Sequence, residues 1–360
     1  MKTKLLFTLL ITSFYLQAQV TDFVTGLTNE PNRLIIDNDV IYVIGVSAPG
    51  EIIEIDLANS TPSGNVIFTT PNGFGIGGIF KDGDIIYISR YDDSTGVSSL
   101  ISFNINTPSS TTTIVSNLGF VSTIEKINND LYFTDEDLTN GGTELKKVDI
   151  SNPIIETVVS GLTNPQDMEY NGNDLYIGDR DAGGGTGIIY SVDISAGTPT
   201  LNSFISNVNA RGVYVYNDFL YFSDSGNIKK APFSNPSNIT TEAIDNDGNP
   251  EFLRDVVISG TNLYMPQETS GKIVTKEDLT LSINNFNSQL LNLSIYNNQN
   301  EVYINGLSNE NRNVKIFSLT GSKVLERISN SNNNSIDISN LTNGIYLLNI
   351  DNIKTFKFVK

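Results

Sequence analysis

Apolar residues in this chain come in short bursts of strand formers, each bounded by a polar turn. The stretch "NNDLYFTDED", Asn128 to Asp137, shows the unit: a turn, a run of Leu, Tyr and Phe, then an acidic cluster. Such bursts predict strands, because β-branched and aromatic residues pack well on a pleated surface and Asn, Asp and Gly suit turns.

The unit recurs. Aligned on its tyrosine, six copies fall at Tyr42, Tyr87, Tyr132, Tyr176, Tyr221 and Tyr264, with spacings of 45, 45, 44, 45 and 43 residues. A repeat of about 40–50 residues with strand composition predicts one four-stranded propeller blade per copy. In each copy an Asn-Asp, Gly-Asp or similar pair joins a first, innermost strand to the strand that carries the tyrosine. Fourth strands read "NVIFTT", "TTTIVSN", "IETVVSG", "LNSFISN" and "TTEAIDN", and the sixth copy has none. An orphan segment near the N-terminus, "VTDFVTGL", matches "LNSFISNV". It is expected to complete the sixth blade, hiding an open sheet edge and tying the ring shut. The fold expected is all-β: a six-bladed β-propeller, then a small C-terminal β-sandwich.

That sandwich follows from a break after Asp278, where the period stops. Seven short apolar-alternating strands are legible in the last 82 residues, which carry seven basic against five acidic side chains. With the two signal lysines also set aside, the propeller keeps 13 basic and 35 acidic residues, a charge of −22 within a total of −18. The charge step marks a domain boundary. The first residues, "MKTKLLFTLLITSFYLQAQ", have two lysines, an apolar run from Leu5 to Leu16 and a small residue at Ala18. They read as a secretory signal peptide cleaved after Ala18. The predicted organisation is therefore 1–18 signal, 19–278 propeller and 279–360 C-terminal domain, with no transmembrane segment.

Composition removes several chemistries. The chain has no Cys, His or Trp. Disulfides, thiolate nucleophiles, Ser-His-Asp catalysis and the usual zinc ligands are thereby excluded. The acidic balance argues against nucleic acid, since no basic stripe is present to displace counterions from phosphates.

"LYFTD" (Leu131–Asp135) and "LYFSD" (Leu220–Asp224) resemble the YWTD-type and NHL-type six-bladed β-propellers; "LYIGD" keeps the Asp, whereas "IYVIG", "IYISR" and "LYMPQ" do not. The resemblance implies that Asp135, Asp179 and Asp224 bond between neighbouring blades as scaffold. Sialidases also use six blades, but their Trp-containing boxes have no counterpart here.

The run "VKIFSLTGSKVLE…IDISNLTNGIYLLNI…KTFKFVK" resembles the C-terminal sorting domain of type IX secretion cargo from Bacteroidetes. The matching positions are Val314, Ile316, Leu319, Gly321, Val324, Gly344, Tyr346, Leu348, Lys357 and Lys360. The Tyr-Pro-Asn-Pro opening common in that family is missing. The resemblance implies recognition by the type IX secretion machinery, passage across the outer membrane, removal of the domain, and release or attachment at the cell surface.

In a propeller, the loops entering the first strand and those joining second to third strands share one face around the central channel. There the sequence places Arg33, Arg211, Arg254, Asp135, Asp137, Asp179 and Asp181, which are the candidate ligand-binding residues. The opposite face carries the short first hairpin turns, with little reach. Calcium is the metal best suited to "DEDLTNGG", "DRDAGGG" and "DNDGNPE", where acids stand two apart beside Gly; none completes an EF-hand loop.

Two function classes fit. One is a secreted or surface binding and adhesion module for a glycan, peptide or protein. The other is a propeller enzyme, either a calcium-assisted lactonase-like hydrolase or a polysaccharide lyase. Lactonase-like propellers take channel carboxylates from several blades, and the first-strand entries here offer only Asp167 and Asp255.

Overall fold

The computed structural model describes residues 20–136, 142–180, 186–245, 253–278, 293–298, 300–307, 311–319, 322–350 and 354–360. The expected signal peptide, Asp137, Asp181 and Gly321 lie outside the described residues, as do parts of the three acidic loops. The chain divides into two compact units, Met1–Asp278 and Leu279–Lys360.

In the first unit, six four-stranded antiparallel sheets follow one another. Blade 1 starts with Pro31–Asp37 and Val40–Gly45, and blade 2 with Phe74–Asp82 and Ile85–Asp92. Blades 3 and 4 start with Ile124–Ile127 and Asp130–Glu136, then Pro165–Asn171 and Asp174–Asp179. Blade 5 starts with Val213–Tyr216 and Phe219–Asp224. Blade 6 comprises Val257–Ser259, Asn262–Gln267 and Lys272–Glu277, and borrows its fourth strand from Thr21–Val24.

Each first hairpin turns on a residue with positive φ: Asn38, Gly83, Asn128, Gly172, Asn217 and Gly260. Glycine reaches this region without strain and asparagine at low cost, which is why the repeat always puts one of them there. The second strands are buried on both faces, so they read as continuous apolar runs rather than alternating ones. All six repeat tyrosines are buried. Neighbouring blades share their cores: Tyr42, Ile44 and Ile52 of blade 1 pack with Ile76, Ile86, Ile101 and Phe103 of blade 2. This face-to-face apolar packing is the main cohesion of the ring.

The ring closes as expected. Thr21–Val24 pairs antiparallel with Lys272–Glu277, setting Thr21 opposite Thr275 and Val24 opposite Ile273. The Leu27 amide donates to the Gly271 carbonyl at 2.8 Å, and Lys272 meets Asp22 at 3.0 Å. Phe23 packs edge-on against Tyr264, ring centroids 4.8 Å apart.

The second unit has all seven expected strands, divided between a three-stranded and a four-stranded sheet. Its core includes Val302, Ile304, Val314, Ile316, Tyr346, Leu348 and Phe358. Among the described residues no helix is long and apolar enough to cross a membrane.

Candidate functional site at the channel mouth

The position three residues after the repeat tyrosine closes the second strand at the mouth face. In three blades it is aspartate, and its geometry is repeated. Asp135 accepts the Gly119 amide at 2.6 Å and the Lys146 ammonium at 2.7 Å. Asp179 accepts the Thr163 and Asn164 amides, both at 2.7 Å. Asp224 accepts the Asn209 amide at 3.0 Å and the Lys229 ammonium at 2.6 Å. Each carboxylate ties the link from the preceding blade to the second strand of its own. All three are buried. The tether is a scaffold role: it engages both oxygens of Asp179 with backbone amides, and those of Asp135 with one backbone amide and the Lys146 ammonium.

Arg33 stands at the mouth end of the channel but is only 7% exposed. It crosses from blade 1 to the opposite blade 4, where it pairs with Asp167 and donates to the Gln166 carbonyl. Asp167 also accepts the Val213 amide of blade 5 at 3.0 Å and the Thr123 hydroxyl of blade 3 at 3.2 Å. Asp255 of blade 6 accepts the Leu34 amide at 2.8 Å. Burial lowers the Arg33 pKa to about 10, against the pull of Asp255, so the guanidinium stays charged at neutral pH. Gly212 is required beside this network, since a Cβ there would lie 2.7 Å from the Asp255 Cα and 2.4 Å from its carboxylate. The first strands thus converge at the mouth end.

Above this layer, Arg254 pairs with Glu268 at 2.8 Å, and Glu268 also accepts from the Asn32 side-chain amide (Nδ2) at 2.6 Å. Burial lowers the Arg254 pKa; Glu268 opposes that shift and the charge of Arg180 adds to it. Arg180 and Arg211, from blades 4 and 5, line one cavity of about 320 Å³ with Asn209, Ser223, Ser225 and Leu253. The hollow has a local cause. Blade 5 joins its second and third strands by only Ser225 and Gly226, both with positive φ (53° and 84°), so it raises no loop over the mouth. Of the predicted residues, the structure therefore brings Arg211 and Arg254 to the mouth beside Arg180, buries Arg33 beneath them, and uses Asp135 and Asp179 as tethers.

The channel adds groups that the sequence reading missed. A cavity of about 360 Å³ runs along the first strands from Arg33, Asp167 and Asp255 to Asp37, Asp82 and Gly83 at the first hairpin turns. The face of short turns thus has a hollow behind it. Glu125 and Glu169 of adjacent blades line this cavity with Tyr214. Burial pushes Glu125 up to about 8. Burial, then the charges of Glu125 and Asp255, raise Glu169 well above the carboxylate range. Burial raises Tyr214 as well. A register count would have found the pair: seven residues before the tyrosine, the copies read Ile35, Phe80, Glu125, Glu169, Tyr214 and Val257. Among the described residues, no group of three or more acidic side chains is arranged to hold a metal ion.

In the second unit, Tyr346 is buried and its hydroxyl donates to the Thr342 carbonyl at 2.9 Å. Gly344 and Lys360 exchange backbone hydrogen bonds, and the Lys360 ammonium donates to the Ile338 carbonyl at 2.6 Å. Lys357 is exposed on the last strand.

Comparison with known proteins agrees with both units. Residues 297–360 match the family model of the secretion system C-terminal sorting domain. A chain of the nidogen/laminin complex superposes with a TM-score of 0.54 at 15% identity, covering 67% of this chain and 90% of that one. PorZ, a surface component of the type-IX secretion system of Porphyromonas gingivalis, aligns over 93% of this chain and 60% of its own, with 13% identity and a TM-score of 0.49. No curated protein matches. The first unit thus has the fold of a six-bladed propeller, and the second carries the match to the secretion sorting domain.

Proposed function

We propose that this chain is a binding or adhesion module that acts at the cell surface or after release, with its ligand held at the propeller mouth. On this reading the type IX machinery recognises residues 279–360 and removes them, after residues 1–18 have directed the chain across the inner membrane. The observation that carries the binding assignment is the cavity where Arg180 and Arg211 converge with Asn209, Ser223 and Ser225. Two guanidinium groups from different blades, set among hydroxyl and amide groups, suit a polar ligand such as a glycan or a peptide. Arg254 borders the same mouth. Long-range repulsion from the acidic propeller is screened beyond about 8 Å at physiological salt, so recognition acts at contact distance.

The test is a screen of immobilised glycans and peptides with the full chain, repeated with Arg211→Ala and Arg254→Ala. Hits should weaken in both variants while thermal unfolding stays cooperative. Hits that survive both changes and disappear on substitution of the outer blade strands would place the ligand elsewhere.

An enzymatic reading draws support from one observation, the raised carboxyls Glu125 and Glu169 in the channel. A carboxyl that keeps its proton near neutral pH is suited to general-acid work. Hydrolase or lyase activity on a polysaccharide panel, abolished by Glu125→Gln, would favour that reading.

A further inference from the structure

Where three blades place the tethering aspartate, blade 2 has Arg90. An arginine cannot accept the link amides, and the link entering blade 2 is held in another way. Its Thr70 hydroxyl accepts the Gly50 amide at 2.8 Å and donates to the Phe74 carbonyl at 2.5 Å, and the Asp93 amide donates to Gly73 at 2.9 Å. Arg90 is thereby relieved of the structural duty of its position.

Among the described residues, the Arg90 side chain makes no hydrogen bond and no ion pair; Arg33 and Arg254, by contrast, each hold a carboxylate. Its Nε is fully buried without a partner. The guanidinium lies 5.0 Å from the centre of the Phe74 ring. It lines a cavity of about 380 Å³, whose walls come from the outer part of blade 1 (Ile67, Phe68, Pro71) and from blade 2 (Pro108, Ser109, Thr111). Phe68 is held in place from behind by stacking on Phe103, centroids 4.4 Å apart.

We propose that this cleft is a second binding site, separate from the Arg180–Arg211 cavity, which takes a peptide carboxylate flanked by a bulky apolar side chain. A partly desolvated guanidinium without an anion is costly, and a carboxylate that meets it in fork geometry offsets that cost. Ile67, Phe68, Pro71 and Pro108 offer an apolar wall for a side chain. A sugar ring would leave many of its hydroxyls facing carbon there, with Arg90, Thr69, Ser109 and Thr111 to answer them.

The test uses the full chain and two small probes, N-acetyl-glycyl-phenylalanine as the free acid and as its amide, in ligand-observed NMR titrations. The free acid should bind at least tenfold more tightly than the amide. Arg90→Gln should remove that difference while unfolding stays cooperative, since Arg90 ties no link between blades. Free glucuronate, a carboxylate on a sugar, should bind at least tenfold more weakly than the acid probe. Equal binding of acid and amide, no loss in Arg90→Gln, or glucuronate binding as tight as the peptide acid would each overturn the proposal. The comparison of acid with amide is made on the unaltered protein, so it holds whether or not the variant folds.

Discussion

Arg33 of blade 1 forms an ion pair with Asp167 of blade 4, spanning the propeller channel between opposite blades. Both are buried, and Asp167 is bonded in addition to blades 3 and 5. One carboxylate and one guanidinium therefore join four blades at the mouth end.

Removing one partner of such a pair leaves a charge buried without compensation, at a cost of about 3–5 kcal/mol. Arg33→Met should accordingly lower the melting temperature by roughly 10 °C. Asp167→Asn should cost a similar amount. The double variant should recover part of the loss, because neither member of the pair is then left buried opposite a missing partner. A strictly additive double-mutant cycle, read by thermal unfolding, would show that the pair is not coupled.

The channel carboxyls set a pH dependence. Burial raises Glu125 to about 8 and Asp255 to about 6, the latter opposed by Arg33. In the folded chain these groups hold protons that the unfolded chain has already released at the same pH. Stability should therefore be fully present below the ordinary carboxylate range and fall as pH rises, for Asp255 through about 6 and for Glu125 through about 8. Glu125→Gln, which mimics the protonated form, should flatten the upper part of this slope and stabilise the protein at pH 8 by on the order of 1–2 kcal/mol. Melting temperatures of both proteins from pH 5 to about pH 9 decide it; an unchanged slope in the variant would assign the dependence to other groups.

Blade count, turn chemistry and ring closure were legible in the sequence because each is a local pattern copied six times. The tyrosine register, the Asn or Gly at every first turn and the orphan strand Thr21–Val24 all carry over directly. The tethers at Asp135, Asp179 and Asp224 were legible through the resemblance, since they sit at one position of the repeat. The Arg33–Asp167 pair was not. It joins blades on opposite sides of the ring, a proximity that the repeat creates but no single copy records. The Arg180–Arg211 hollow depends on a loop that blade 5 leaves out, and a missing loop is a weak signal until the neighbouring blades are in place.

Export should depend on the second unit. Removing Leu281 to Lys360 should leave a folded propeller in the periplasm, because the propeller has its own core and the sorting domain matches within the deleted part. Protein recovered from the medium or the cell surface should lack the domain. Intact mass of exported protein that still ends at Lys360 would contradict removal of the sorting domain.

The N-terminal strand should be indispensable to the propeller. Thr21–Val24 covers the outer edge of Lys272–Glu277, and Val24 is only 3% exposed, packed in a cluster with Leu34, Ile41 and Ile273. Deleting Val20 to Leu27 would uncover a strand edge, remove Phe23 from Tyr264 and unseal the junction of the first and last blades. An unpaired edge with apolar neighbours is a template for pairing with other chains. The deleted protein should therefore aggregate on expression or unfold without a cooperative transition. Size-exclusion chromatography and thermal unfolding check both outcomes. A monomer that melts like the full chain would show that the ring is held by blade packing alone, and that the borrowed strand is dispensable.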